Sequence, residues 1–204
     1  MNLEFKVSEI VATNMDSVIP FLFKRSPKDT REEIRLYERH EAQYKMFKWL
    51  SWQLQRTQIL DLGVRYGTSA LCLADNPSNR VIGVDIGHIF KGVDVRPYLA
   101  KRDIDFFELD VNDLASEYIR FSPVISLDIS HNGADEAKFL QRLIDMNYNG
   151  IVIMDDICKP STFPELAKVW NEITLPKIRL PDEISHDTGT GVVIFGDHNI
   201  TVGE

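Results

Sequence analysis

Cysteine is almost missing from this chain. Cys72 and Cys158 are the only two in 204 residues, and no CxxC pair occurs. A disulfide framework and a zinc ribbon are therefore excluded, and both thiols are expected to be buried and reduced. Positive charge is also short. Lys and Arg total 23 against 31 Asp and Glu, a net charge of -8. Such a surface repels phosphate backbones, which disfavours a general nucleic-acid binder and leaves room only for a local basic patch. No apolar run approaches the roughly 20 residues needed to cross a bilayer. The opening Met1-Asn2-Leu3-Glu4-Phe5-Lys6 has neither the basic start nor the apolar stretch of a signal peptide. The expectation is a soluble protein of a reducing compartment, the cytoplasm, with no nucleic-acid partner and no membrane span. Nine prolines and eleven glycines are too few for a collagen-like or low-complexity chain. The length suits one domain, 1–204, made of an N-terminal extension and helix (1–56) and an α/β core (57–204).

The first 28 residues read as irregular, punctuated by Pro20 and Pro27, with Phe21-Leu22-Phe23 docking on the main body. Asp29 to Gln55 reads as a long helix. Asp29 with Glu32, and Thr30 with Glu33, have capping-box spacing. Leu36, Tyr37, His40, Tyr44, Phe47 and Leu50 then recur at helical spacing. That stripe is a core-facing seam, or its polar tips at Tyr37, His40 and Tyr44 line a pocket. Beyond Gln55 the rhythm changes. Short apolar runs at 58–62, 80–85, 104–109, 124–128 and 150–154 read as strands, with helices at Ser69–Leu73, Ala134–Met146 and Phe163–Trp170. Lys177–Leu180 and Gly191–Phe195 read as a final antiparallel pair, since only a polar loop joins them. Strands alternating with helices imply right-handed βαβ units. The expected fold is α/β: a Rossmann-like, doubly wound sheet of about seven strands with a reversed last strand, plus an N-terminal helical extension.

In such sheets ligands bind beyond the carboxyl ends of the strands. Each of the five predicted parallel strands delivers an acid there: Asp61, Asp85, Asp110, Asp128 and the pair Asp155-Asp156. After the first comes a glycine turn, Asp61-Leu-Gly63-Val-Arg65-Tyr66-Gly67-Thr-Ser69. Gly63 and Gly67 permit positive φ or close approach of a ligand to the backbone. Asp85 lies 18 residues past Gly67, where an acid meets ribose hydroxyls in nucleotide-type sites. Asp128, Asp155 and Asp156 come from the ends of two strands that should be neighbours. All-oxygen ligands suit Mg²⁺ or Mn²⁺. His131 follows Asp128 by three residues and is a candidate base. His40, His88 and His198 are read as surface or packing residues, and His186 as a solvated loop residue or part of a substrate cover. Lys91, Arg96, Lys101 and Arg102 read as a solvated basic face, or as contacts for an anionic acceptor.

Asp61, the glycine turn, Asp85 and Asp110 resemble the class I S-adenosylmethionine-dependent methyltransferases, over roughly residues 35–196. Arg65 replaces the middle glycine of their usual GxGxG, a departure that suits small-molecule O-methyltransferases reading GxxxGxS. Asp128-Ile-Ser-His131 and Asp155-Asp156 resemble the metal-dependent sugar O-methyltransferases of macrolide and rhamnosyl type. The resemblance implies a cofactor site at Asp61, Gly63, Arg65, Tyr66, Gly67, Ser69, Asp85 and Asp110. It implies a divalent metal (Mg²⁺ or Mn²⁺) on Asp128, Asp155 and Asp156. Catalysis would fall to His131 with Asp128, on a small-molecule or glycan sugar acceptor. A catechol or phenol acceptor is the alternative within the same chemistry. An NAD(P)-dependent oxidoreductase has less support, since no strict GxGxxG is present and four other acids would lack a role. A non-catalytic binding module would leave the acids without a role. A homo-oligomer, and a place within a larger glycan-modifying polypeptide, stay open.

Overall fold

The computed structural model describes residues 1–19, 27–87, 102–159 and 161–204. The expectations for Pro20, Phe21-Leu22-Phe23, His88, Lys91, Arg96 and Lys101 lie outside them. In chain order the elements are β1 (Asn2–Lys6), α1 (Val7–Val11), α2 (Pro27–Gln53), β2 (Gln58–Leu62), α3 (Thr68–Leu73), β3 (Arg80–Asp85) and β4 (Ile104–Glu108). There follow α4 (Ser116–Arg120), β5 (Val124–Leu127), α5 (Ala134–Asp145), β6 (Gly150–Met154) and α6 (Pro164–Glu172). The chain closes with β7 (Lys177–Arg179), β8 (Gly191–Phe195) and β9 (Asn199–Gly203). Short 3₁₀ turns lie at Val111–Asp113 and Asp182–Ile184.

Seven strands form one sheet in the order β4-β3-β2-β5-β6-β8-β7. The pairs from β4 to β6 are parallel, and β8 runs antiparallel to both β6 and β7. The expected reversed strand is thus β8, wedged between its neighbours. The central strands are buried on both faces, so they read as continuous apolar runs. Their alternate residues build two cores. Ile59, Val81, Ile151 and Ile153 pack with Phe47 and Leu50 of α2 on one face. Leu60, Ile82, Val152 and Met154 pack with Phe139 and Leu143 of α5 on the other.

Four expectations are corrected. The first residues are not irregular: Leu3 and Phe5 point inward while Glu4 and Lys6 point out, and β1 pairs in parallel with β9. Period-two patterning was present, but a five-residue strand cannot announce a partner at the other end of the chain. The long helix starts at Pro27, not Asp29. Proline suits the first turn, where its missing N–H has no intrahelical role. Arg102, read as part of a solvated basic face, reaches the Leu71 and Ser17 carbonyls and Asp75, so it ties the N-terminal segment to the sheet. Cys72 is buried as expected, whereas Cys158 is half-buried. Among the described residues no helix is long and apolar enough to cross a membrane.

Candidate active site

Strand order turns outward in both directions from β2 and β5, and a cleft of about 530 Å³ opens beyond their carboxyl ends. This is where an open α/β sheet leaves room for a ligand. Gly63, Asp85, Asp110, Asp128, His131, Asp155 and Asp156 all line it. A smaller pocket of about 60 Å³ adjoins it, sharing Gly63, Arg65 and Asp128 and lined further by Asp61, Tyr66, Thr68 and Ser69. The sequence-predicted residues other than Gly67 therefore converge on this cleft and its side pocket.

Backbone geometry shapes the Asp85 side of the cleft and the small pocket beside it. Gly63 has φ +90°, and a Cβ there would run into the Asp128 carbonyl. Gly67, at φ +81°, caps α3 in the left-handed conformation. Arg65 also has positive φ, and its N–H donates to Asp85 Oδ2 at 2.8 Å, while Gly87 N–H donates to Oδ1 at 3.0 Å. Asp85 is thus held by the turns on either side of it. Asp110 accepts the Asn112 N–H and side-chain amide, which lower its pKa. Arg142 of α5 gathers the carbonyls of Val111, Asn112 and Leu114, pinning the turn after β4 that lines the cleft. In the small pocket Asp61 is buried and accepts the Ser69 hydroxyl at 2.6 Å. Burial raises its pKa to about 6, against hydrogen bonds from Ser69 and Ser126.

Charge shapes the Asp156 side of the same cleft. His131 Nε2 lies 2.7 Å from Asp128 Oδ1 and 2.8 Å from Asp156 Oδ2. One N–H cannot point along both lines, and buried Asp128 Oδ1 is left without a hydrogen bond. The contacts to Asp128 and then Asp156 raise the His131 pKa to about 10. Burial acts to raise that of Asp156, but His131, His186 and Thr188 outweigh it and the net shift is downward. Asp155 is pushed up, to about 7, by burial and then by the charge of Asp128. His131 and Asp156 have φ +59° and +60°. Left-handed residues other than glycine are costly and gather where surroundings over-determine them, commonly at functional sites.

His186 was read as a solvated loop residue or part of a substrate cover, and His40 as a surface or packing residue or a pocket-lining tip of the helix stripe; both belong to the cleft. His186 is only 5% exposed. Its Nδ1 lies 3.3 Å from Asp156 and 3.5 Å from Asp155, and its ring stands 3.7 Å from that of His40. Burial and then the His186 charge lower the His40 pKa to about 4. The one clue was the polar stripe on the long helix, whose His40 and Tyr44 do reach the small pocket. Asp155 and Asp156 sit at a strand end yet are buried, 4% and 3% exposed. Thr188 donates to Asp156 and Thr190 to Asp155, from the loop before β8.

The predicted metal trio divides. Asp128 groups with His131 and Asp156, and Asp155 groups with Asp156 and His186; within each group the ligand atoms lie within 4.8 Å of one another. Asp156 is common to both. Converging carboxylates with an orphaned buried oxygen fit a divalent cation, and the imidazoles make the donor set mixed rather than all-oxygen.

No protein-family model and no curated protein matches the sequence. Solved structures match on fold. A Staphylococcus aureus protein with a proposed caffeoyl-CoA O-methyltransferase activity is 16% identical, aligned over 90% of this chain and 100% of its own, with a TM-score of 0.58. A SAM-dependent O-methyltransferase from Thermotoga maritima is 14% identical over 87% of this chain and 69% of its own, with a TM-score of 0.52. The Burkholderia thailandensis 1,6-didemethyltoxoflavin-N1-methyltransferase was solved with 1,6-didemethyltoxoflavin and S-adenosylhomocysteine bound. It is 16% identical over 80% of this chain and 81% of its own, with a TM-score of 0.51. Other matched chains are longer, and this one spans about half of their length, 47% of one and 49% of another. Likeness at these identities establishes architecture: the chain has the Rossmann-like seven-stranded fold of methyltransferases of known structure.

Proposed function

We propose that this protein is an S-adenosylmethionine-dependent O-methyltransferase that methylates a sugar hydroxyl, such as that of a deoxysugar like rhamnose in a glycan, with the help of a divalent metal. One observation carries the reading. A single cleft joins Asp85 and Asp110, suited to a nucleoside, to the Asp128–His131–Asp156 group, suited to a cation and an acceptor.

The residues divide the work. A carboxylate has about four lone-pair positions. Asp85 uses two on backbone N–H groups, leaving capacity for two ribose hydroxyls. Asp110 lies toward the adenine. Asp61 and Ser69, with Gly63, Arg65, Tyr66 and Gly67, enclose the methionyl end, and the ammonium there would favour the charged form of Asp61. Bound S-adenosylmethionine supplies an electrophilic methyl on an excellent leaving group. A cation held by Asp128, Asp155 and Asp156 would acidify the acceptor hydroxyl. In the metal-free protein His131 keeps its proton between Asp128 and Asp156. Asp128 and Asp156 would be the residues to hold such a cation, and His131, beside them, would be the residue placed to accept the acceptor's proton.

A catechol or phenol acceptor is the second reading. Phe163 favours it, its ring stacked at 4.9 Å on His131 and forming an aromatic wall to the cleft. The test is methyl transfer across free, glycan-linked and nucleotide-linked sugars and catechols with Mn²⁺ present. Beside it runs a thermal-shift series with S-adenosylhomocysteine. A hundredfold excess over Kd should add about 2.7 kcal/mol of apparent stability. Stabilisation by a nicotinamide cofactor instead would turn the reading to an oxidoreductase.

A further inference from the structure

The loop Ser130–Gly133 carries His131 and leads into α5. Glu136, in the first turn of α5, is 2% exposed. Its Oε1 accepts the N–H of His131 at 2.7 Å and of Ser130 at 3.1 Å, and its Oε2 accepts the N–H of Gly133 at 2.8 Å. The Ser130 hydroxyl adds a fourth contact at 3.3 Å. Capping α5 needs only the bond to Gly133, the N-cap residue. The bonds to Ser130 and His131 lie upstream of the helix and are surplus to capping. They fall on the residue whose φ is +59°. From the other side Phe163 stacks on the imidazole, and a Cβ at Gly133 would lie 2.9 Å from the Glu165 carbonyl. The loop is gripped from below and covered from above.

We propose that Glu136 is the positioning residue of this site: by collecting the N–H groups of Ser130, His131 and Gly133, its buried carboxylate imposes the left-handed turn that sets the imidazole between Asp128 and Asp156. The role rests on the reading of Asp128, His131 and Asp156 as working residues. The clamp itself is a property of the fold. Glu136→Gln keeps the shape but turns an amide NH₂ toward a backbone donor, so one set of bonds is lost. A shift of the order of 1 Å in a reacting group costs roughly 10²-fold in rate.

The experiment compares wild type, Glu136→Gln and Leu143→Ala. The last removes a fully buried side chain from the same helix, away from the loop. Three quantities are read: amide hydrogen exchange across 129–134, Mn²⁺ affinity by electron paramagnetic resonance, and S-adenosylhomocysteine affinity by calorimetry. Glu136→Gln should speed exchange in the loop at least about tenfold and weaken Mn²⁺ by a similar factor, with the nucleoside ligand within about twofold. Leu143→Ala should lower Tm and leave all three near wild type. Native-rate exchange in Glu136→Gln overturns the proposal. So does equal loosening in Leu143→Ala, which would make Glu136 a helix cap and nothing more. A wild type that binds neither Mn²⁺ nor S-adenosylhomocysteine defeats the functional reading instead, while the exchange data still decide the clamp. Should Glu136→Gln fail to fold, Glu136→Asp keeps the charge one methylene short, and the same ordering is expected with a smaller loosening.

Discussion

The two halves of the cleft are held by different physics. Around Asp85 the structure is set by backbone: Gly63, Arg65 and Gly67 are left-handed, and the N–H groups of Arg65 and Gly87 point at the Asp85 carboxylate. Around Asp156 it is set by side chains from separate segments, two histidines, two further aspartates and a threonine, each holding the next by charge or hydrogen bond. In the first half Asp110 is exposed and Asp85 half-buried; in the second Asp155, Asp156 and His186 are buried, while Asp128 and His131 are half-buried. A backbone cradle tolerates loss of one side chain. A charge cluster does not, because each buried group depends on its partners for satisfaction.

Asp156→Asn should break the comparison most sharply. It removes the carboxylate common to both metal-type groups. Mn²⁺ affinity should drop by more than the roughly 10–100-fold that loss of an outer partner costs a metal site. S-adenosylhomocysteine affinity, measured on the same sample, should move by about twofold or less. Equal loss of both ligands would mean the halves are one cooperative unit.

Asp85→Ala is the converse. A hydrogen bond to a charged group is worth about 1.5–3 kcal/mol, so calorimetry should show S-adenosylhomocysteine weakened roughly 10-fold or more. Mn²⁺ binding should persist, and unchanged nucleoside affinity would remove Asp85 from the site.

A pH series in EDTA sharpens the contrast. The folded-state pKa of His131, about 10, stands above the ordinary value near 6.5. Its contribution is fully present below about pH 6.5 and is lost as pH climbs toward 10. His131 is 31% exposed, so screening leaves on the order of 1–2 kcal/mol of that loss. Denaturant midpoints from pH 6.5 to 9.5 should fall in wild type and stay flatter in His131→Gln. Parallel profiles would show that the imidazole gains nothing from its carboxylates.

Asp61→Asn has the smallest expected effect, and an opposite sign. Burial raises this carboxyl, so folding opposes its ionisation: stability declines between about pH 4 and 6 and the full penalty stands above. Asparagine removes the charge at the cost of one hydrogen bond from Ser69 or Ser126. The ligand-free protein should gain about 1 kcal/mol at pH 7.5, read as a rise in Tm, and should bind S-adenosylhomocysteine less tightly. A lower Tm would show that the two serine bonds outweigh the burial.

The sheet was readable because its signals are local. An apolar run ending in an acid, followed by glycine or a helix, repeats from Leu62 to Asp156, and five strand ends were placed within a residue. The glycine turn and Asp85 were legible for the same reason, since the positive φ that glycine permits is a property of the residue itself. His131 was legible by spacing from Asp128. His40 and His186 were legible only as one of two alternatives, and Glu136 not at all. Each sits in a segment whose own pattern names another role: a helical seam, a polar loop, a helix cap.

By itself, then, the sequence determined the layering, the parallel strands with a reversed partner, and the row of acids at their carboxyl ends. Periodicity and strand-end chemistry need no knowledge of neighbours. Tertiary structure alone decided three things: the pairing of β1 with β9, the division of the site into a backbone-held and a charge-held half, and the burial of His186 against Asp155 and Asp156. Each depends on which distant segments meet. No residue's own propensity encodes that, because the energy lies in desolvating one charged group beside another.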